Sequence, residues 1–233
     1  MKANPIYCLP LLSLACSEIK SSDLNTSGFY ADLSVVATSD YEALASATYT
    51  AGSSTSLTFV ELTAGDGVAV ESDTESKNLS YCGALGMHSY CETFSDGFAG
   101  AIYTFDLKRS AEVSAPDSWL ELPASFELLS PAPDESFVEG EAIDIFWDEA
   151  DGDHVMLVKA TGLCISDYSS GEITDFGEMT INAYDLEGFG ETGETCSVEI
   201  TVDRILGGTL DPAYGSGKVQ GIQRQSVTIQ YSL

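Results

Sequence analysis

An acidic turn in the second half of the chain holds the densest group of candidate metal ligands. Asp148, Asp151 and Asp153 surround Gly152 directly after an apolar segment that ends in Trp147. Ca²⁺ prefers oxygen ligands, so these carboxylates could bind it. The spacing differs from that of an EF-hand loop, whose acids alternate before the glycine, and a solvated turn explains the same residues. We therefore predict no cofactor, with Ca²⁺ at this turn as the alternative.

Four cysteines in the body of the chain indicate covalent crosslinks. Cys82, Cys91, Cys164 and Cys196 form an even set, which in an oxidising compartment favours two disulfides. Three pairings exist, and the spacing favours Cys82–Cys91 and Cys164–Cys196. Zinc is the alternative for the first pair, with His88 as a third ligand. A structural zinc site needs a fourth ligand, and no residue has a fitting spacing.

Motifs of known catalytic devices are weak in this sequence. The segment Gly188–Gly193 fits G-x-G-x-x-G, but a strand-like segment follows it and its acidic side chains would repel a pyrophosphate. No G-x-S-x-G nucleophile motif occurs, and we expect both histidines, His88 and His154, at the surface. We therefore predict no catalytic residue and a protein that is not an enzyme.

The N-terminus resembles a bacterial lipoprotein signal. The apolar segment Ile6–Ala15 is too short to cross a bilayer as a helix, and it ends in a small residue directly before Cys16. In the lipobox pattern this cysteine is acylated and becomes the first residue. The resemblance implies a signal peptide at 1–15 and membrane attachment through a lipid on Cys16. Ser17, as a residue other than Asp after the cysteine, implies the outer membrane, facing the periplasm or the cell surface.

Charge narrows the range of partners. The chain carries 9 Lys and Arg against 37 Asp and Glu, a formal charge of −28. Nucleic-acid phosphates require basic side chains to displace their counterions, so we predict no nucleic-acid partner. The remaining candidates are an envelope protein, a glycan or a cation.

The rest of the sequence predicts an all-β fold. Short segments rich in β-branched and aromatic residues alternate in polarity with period two and are separated by turn residues, which is typical of an antiparallel β-sandwich. The clearest of these segments in the first half are Tyr30–Thr38, Ala43–Thr50, Leu57–Leu62, Val68–Glu71 and Ala99–Leu107.

The second half resembles immunoglobulin-like and fibronectin type III domains. The segment Ala142–Trp147, the acidic turn and the apolar segment His154–Lys159 follow the order of early strands in those families. The resemblance implies that Trp147 packs between two sheets. Prolines cluster between the halves and favour an extended joint. The resulting division is a signal peptide at 1–15, a polar tether at 16–27, a β-sandwich at 28–113, a joint at 114–124 and an immunoglobulin-like β-sandwich at 125–233.

These observations together predict a lipid-anchored cell-envelope protein with a non-enzymatic binding or structural role. The binding residues are expected in loops at the ends of the sandwiches, above all the turn 148–153 and the glycine-rich segment 185–194. Two alternatives remain, a carbohydrate-active envelope hydrolase and a calcium-binding adhesion module. A spacer without any ligand is a further structural alternative.

Overall fold

The structure is a computed structural model that describes residues 17–63, 65–83, 88–148, 154–191 and 193–233. The predicted signal peptide, Cys16, Asp151 and Asp153 lie outside the described residues. No helix in the described ranges combines the length and the apolarity needed to cross a bilayer.

The described residues form eighteen strands and two 3-10 helices. In the first half the elements are β1 (Ser17–Lys20), helices at Ser21–Asp23 and Thr26–Gly28, β2 (Phe29–Ser39), β3 (Glu42–Ala51), β4 (Thr58–Glu61), β5 (Gly67–Glu71), β6 (Ser76–Asn78), β7 (Ser80–Tyr81), β8 (Ser89–Phe94), β9 (Ile102–Lys108) and β10 (Ala115–Glu121). In the second half they are β11 (Leu128–Ser130), β12 (Ser136–Val138), β13 (Ile143–Trp147), β14 (Val155–Gly162), β15 (Tyr168–Thr174), β16 (Glu178–Ile181), β17 (Thr195–Gly207) and β18 (Ser216–Ser232).

Alternating polarity explains why these segments are strands. Every second residue of β2 is buried and the residues between them are partly or fully exposed, as expected for a strand with one face on a core. The buried set consists of Phe29, Ala31, Leu33, Val35 and Ala37. The prediction of an all-β fold built of β-sandwiches is confirmed, and most strand pairs are antiparallel. Three pairs, β1–β4, β12–β18 and β2–β18, are parallel.

The chain forms two sandwich lobes that share one large sheet. This sheet has the order β1-β4-β3-β2-β18-β17-β14-β15, with β8 paired to β3. Its first half packs against the sheet β10-β9-β5-β6, and its second half packs against the sheet β11-β13-β16. Each lobe therefore has its own apolar core, but both cores lie on the same sheet.

The long hairpin β17–β18 joins the lobes. At about 3.3 Å per residue, the 17 residues of β18 extend for roughly 55 Å, which is enough to cross both lobes. Val219 of β18 lies in the first core, whereas Val227 and Ile229 lie in the second. Gly221, between them, allows β10 to cross closely, because a Cβ there would lie 2.2 Å from the Glu121 carbonyl oxygen. The first lobe thus contains a strand from the C-terminal end of the chain.

Two segments differ from the sequence expectation. Residues 114–124, expected as a joint, contain β10, whose Ala115 and Leu120 are fully buried in the first core. The ladder with β9 is irregular between Ala115 and Ser118. Pro116 therefore lies outside the regular pairing, where its lack of a backbone N–H removes no ladder hydrogen bond. The described part of the expected polar tether at 16–27 packs on the first lobe instead, with Ile19 and Leu24 against its core.

One buried arginine holds this N-terminal segment. Arg109 donates hydrogen bonds from Nη2 to the carbonyls of Ser21 and Leu24 at 2.6 and 3.0 Å and from Nη1 to the Thr26 hydroxyl at 3.0 Å. Its Nε donates to Asp66 at 2.7 Å. The planar guanidinium satisfies several carbonyls at once, which an ammonium group at the same place could not do. We refer to this arrangement as the Arg109 clamp.

Candidate functional site

The structure contains both disulfides in the pairing that the spacing favours. Cys82 and Cys91 have a Cα–Cα distance of 5.9 Å, and Cys164 and Cys196 have one of 6.1 Å. The first disulfide closes the hairpin of β7 and β8, and the second closes the loop between β14 and β17. A cysteine in a disulfide supplies no thiolate, so in this structure Cys82 and Cys91 are crosslinked residues and not zinc ligands.

The acidic turn is described only at its first candidate ligand. Asp148 accepts a hydrogen bond from the Glu127 N–H at 2.6 Å, and its backbone carbonyl accepts one from Arg204 at 2.9 Å. Its carboxylate therefore already has a protein partner. No group of three or more metal-ligating side chains occurs among the described residues. Calcium binding at this turn stays a prediction.

The glycine-rich segment is packed against the C-terminus. A Cβ at Gly188 would lie 2.2 Å from Leu233 Cδ2, and one at Gly190 would lie 2.6 Å from Leu233 Cδ1. The Phe189 N–H donates to the Cys164 carbonyl at 2.8 Å. These contacts explain the glycines as the result of close packing beside the second disulfide.

A different surface brings ligand-binding groups together. A cleft with a volume of about 320 Å³ lies where β4 meets the β7–β8 hairpin, and it is lined by Glu61, Leu62, Tyr81, His88 and Tyr90. We call it the His88 cleft. Tyr81 and Tyr90 lie directly opposite each other in the β7–β8 pairing. The Cys82–Cys91 disulfide joins the residues that follow these two tyrosines and so crosslinks the hairpin.

His88 is the decisive residue of this cleft. The prediction that it lies at the surface is wrong, because only 9% of it is exposed. Neither ring nitrogen makes a hydrogen bond to any residue that the structure describes, although Glu18 Oε1 of β1 lies within ion-pair distance of Nε2, at 3.1 Å. A buried polar atom without a partner costs free energy, and native proteins leave few of them. The lining of the cleft therefore includes a buried polar ring that makes no hydrogen bond to the described residues.

Aromatic rings support the cleft from the core side. The Tyr81 ring lies 5.4 Å from the His88 ring and 6.2 Å from the Tyr90 ring, which it meets edge-on. Tyr90 in turn lies 6.4 Å from Tyr49, which is fully buried. Contacts of this kind between aromatic edges and faces are favourable and restrict the rings. The exposed ring of Tyr81 is thus held by a continuous aromatic contact into the core.

The hydroxyl group of Tyr90 keeps its proton at neutral pH. Burial raises the pKa of Tyr90, and the nearby Glu61 carboxylate raises it further, although the Leu62 N–H acts in the opposite direction. The hydroxyl oxygen accepts a hydrogen bond from that N–H at 2.7 Å. Its own hydrogen is left to be donated.

A second cleft, on the outer face of the large sheet, lacks such an unsatisfied group. It has a volume of about 350 Å³ and includes Val36, Leu44 and Arg224 in its lining. Arg224 is held by two hydrogen bonds to the buried carboxylate of Asp203, at 2.6 and 2.8 Å. The charged group in the lining of this second cleft, Arg224, is therefore already paired inside the protein. The His88 cleft is the stronger candidate for a binding site.

Sequence reasoning missed the His88 cleft because its walls come from separate parts of the chain. Glu18 and Glu61 come from β1 and β4, which pair in parallel. The available signal was the pair of tyrosines flanking the first disulfide with a histidine inside the same loop. That pattern predicts proximity of the three rings, but not the burial of the histidine.

No protein-family model and no curated protein matches the chain. Among solved structures it is similar to fibronectin(III)-like modules of CbhA from Clostridium thermocellum, with 12% identity, a TM-score of 0.25 and coverage of 88% of this chain and 90% of that one. It is similar to an I-band fragment of titin, with 10% identity, a TM-score of 0.27 and coverage of 88% and 65%. It is also similar to SGBP-B of the mixed-linkage glucan utilization locus of Bacteroides ovatus in complex with a mixed-linkage heptasaccharide. That likeness has 8% identity, a TM-score of 0.22 and coverage of 98% and 69%. Likenesses this low define neither the topology nor the function of this chain.

Proposed function

We propose that this chain is a lipid-anchored cell-envelope protein with a non-enzymatic binding role, and that the His88 cleft is its binding surface. The observation that carries the proposal is the buried His88 in the lining of the cleft, whose ring nitrogens make no hydrogen bond within the described part of the chain and whose Nε2 contacts only the Glu18 carboxylate. A bound molecule would supply a hydrogen-bond partner.

The leader sequence and the Arg109 clamp support the anchored arrangement. Cys16 directly precedes β1, and β1 pairs with β4 from its first residue, Ser17. Ile19 packs against the first core. A lipid on Cys16 would therefore hold the first lobe at the membrane in a fixed orientation, without a flexible linker. Two or more acyl chains on the cysteine would make this attachment stable.

The contents of the cleft favour binding over catalysis. The cysteines adjacent to Tyr81 and Tyr90, Cys82 and Cys91, are bonded to each other and supply no thiolate. The ring nitrogens of His88 make no hydrogen bond to a hydroxyl that they could activate. A nucleophilic mechanism requires such a base–nucleophile contact.

The anchor is tested by expression of the full chain in a Gram-negative bacterium, with membrane fractionation and mass measurement of the N-terminal peptide. We expect a peptide that begins at Cys16 and carries at least two acyl chains. The Cys16→Ala variant should lose these chains and leave the membrane fraction, whereas the matched Cys8→Ala variant should behave as the wild type. An unmodified N-terminal peptide in the wild type would contradict the anchor.

Occupancy of the cleft is tested by photo-crosslinking in intact cells. A benzophenone side chain replaces Tyr81 in the cleft or, as a control, Tyr41, which is 84% exposed in the β2–β3 turn. We expect a light-dependent adduct at position 81 that is absent at position 41. Equal adducts at both positions, or none at position 81, would contradict a binding role for the cleft.

A further inference from the structure

We propose that the ligand of the His88 cleft is a neutral saccharide, held by Tyr81, His88 and the carboxylates of Glu18 and Glu61. This inference rests on the proposed binding role of the cleft. It adds the chemical class of the ligand and the residues that recognise it.

The histidine selects for hydroxyl groups. The two ring nitrogens of His88 are buried and make no hydrogen bond to the described residues, and Nε2 has only the Glu18 carboxylate oxygen nearby, at 3.1 Å. A sugar hydroxyl can donate and accept, so it can pair with an imidazole nitrogen whether or not that nitrogen carries the hydrogen. An aliphatic ligand would leave the nitrogen without a hydrogen bond, which disfavours its binding.

Tyr81 provides the apolar contact that a sugar ring needs. The C–H bonds on one face of a pyranose are weakly positive, and the face of an aromatic ring is negative, so the two surfaces attract each other. Tyr81 is 55% exposed at the edge of the cleft. Its contacts with His88 and Tyr90 restrict the ring before any ligand arrives, which lowers the entropic cost of binding.

The charges around the cleft favour a neutral ligand over an anionic one. Glu18 and Glu61 project from neighbouring strands, and Lys20 is the register partner of Glu61. Two carboxylates and one ammonium leave the surroundings negative, within a chain of formal charge −28. Carboxylates are acceptors for sugar hydroxyls, whereas they repel phosphates and uronic acids.

The volume is consistent with a short part of an oligosaccharide. Small-ligand sites have volumes of about 300–1,000 Å³, and the cleft, at about 320 Å³, lies at the lower end of that range. A small organic cation is the competing ligand, because tyrosines and carboxylates also attract ammonium groups. The experiment therefore includes both classes.

The test is a calorimetric titration. The purified chain without its predicted signal peptide is titrated with neutral glucan, xylan and chitin hexaoses. Tetramethylammonium and a galacturonic acid hexamer serve as the cationic and anionic probes. We expect saturable binding of at least one neutral hexaose with a Kd of about 1 mM or tighter and none of the charged probes. Binding of tetramethylammonium alone, of the anionic hexamer alone, or of no probe would overturn the inference.

Variants locate the binding. Tyr81→Ala should weaken hexaose binding tenfold or more, and His88→Gln should weaken it less because an amide still donates and accepts. Tyr41→Ala, which removes an even more exposed ring elsewhere, should leave binding unchanged. An unchanged Kd in Tyr81→Ala, with an unaltered circular dichroism spectrum, would overturn the site. A light-dependent adduct at position 81 without saccharide binding would overturn this inference alone and leave the binding role in place.

Discussion

Arg204 and Asp175 form an ion pair in which both side chains are almost completely buried, with 2.9 Å between Nε and Oδ2. The other carboxylate oxygen of Asp175 accepts a hydrogen bond from the Trp147 indole at 2.7 Å. Arg204 also donates to the carbonyls of Ala124 and Ser125, the segment that leads from the first lobe into the second. One arginine from β17 thus connects the second core with the junction between the lobes.

Replacement of Asp175 by alanine should destabilise the fold strongly. It leaves the buried guanidinium of Arg204 without a counter-charge and the Trp147 indole without an acceptor, so we expect a loss of about 3–5 kcal/mol in the free energy of unfolding. Urea denaturation measures this loss. Glu172→Ala is the control, since its 3.8 Å contact with Lys218 is exposed and contributes about 1 kcal/mol or less. A loss below that of the control would contradict the structural role of the buried pair.

The two lobes should unfold in one transition. Because β18 contributes to both cores, loss of either core removes strand partners from the other. The chain has two tryptophans, with Trp119 in the first lobe and Trp147 in the second. In Trp147→Phe the fluorescence reports only on the first lobe, and in Trp119→Phe it reports only on the second.

In each variant the urea midpoint from fluorescence should equal that from far-ultraviolet circular dichroism, which reports on the whole chain. Midpoints that differ within one variant would show that the lobes unfold independently.

The Arg109 clamp should fix the N-terminal segment. Arg109→Lys keeps a positive charge but cannot reach the Ser21, Leu24 and Thr26 oxygens together, so we expect a loss of about 2 kcal/mol. Hydrogen exchange should become at least tenfold faster at residues 19–28 than in the wild type. Lys108→Ala is the matched control, because this neighbouring cation is exposed and makes one 3.6 Å ion pair with Asp106. Unchanged exchange in Arg109→Lys would refute the clamp.

The Asp66 carboxylate should make stability dependent on acid pH. Burial alone would raise its pKa, but hydrogen bonds from Ser110 and Arg109 outweigh burial and lower the pKa below the ordinary value. A lowered pKa in the folded state means that the stabilisation is complete above the unfolded pKa of about 3.9 and is lost as the pH falls below it.

We therefore expect the Asp66 contribution to the free energy of unfolding to be lost as the pH falls below about 4. Asp66→Asn should be less stable than the wild type at pH 7 and should show a flatter pH dependence. Parallel pH curves for the two proteins would contradict this assignment.

Local sequence patterns predicted the strands and the crosslinks. The alternation in Tyr30–Thr38 corresponds to β2, and the implied burial of Trp147 is observed, with 3% of the residue exposed. The parallel pairing of β18 with β2 joins segments almost two hundred residues apart, and no local pattern specifies such a partner. The binding surface was missed for a similar reason, since the burial of His88 depends on β1 and β4 as well as on its own hairpin. Proline content misled the interpretation of residues 114–124, because the irregular ladder around Pro116 tolerates it.

The position of β18 has a consequence for biosynthesis. A ribosome releases the chain from its N-terminus, so β2 is made long before its parallel neighbour β18. Until residues 216–223 emerge, β2 keeps one edge unpaired, and unpaired edges promote association between chains. Slow or interrupted synthesis should therefore increase aggregation of this protein, and a holding chaperone should reduce it.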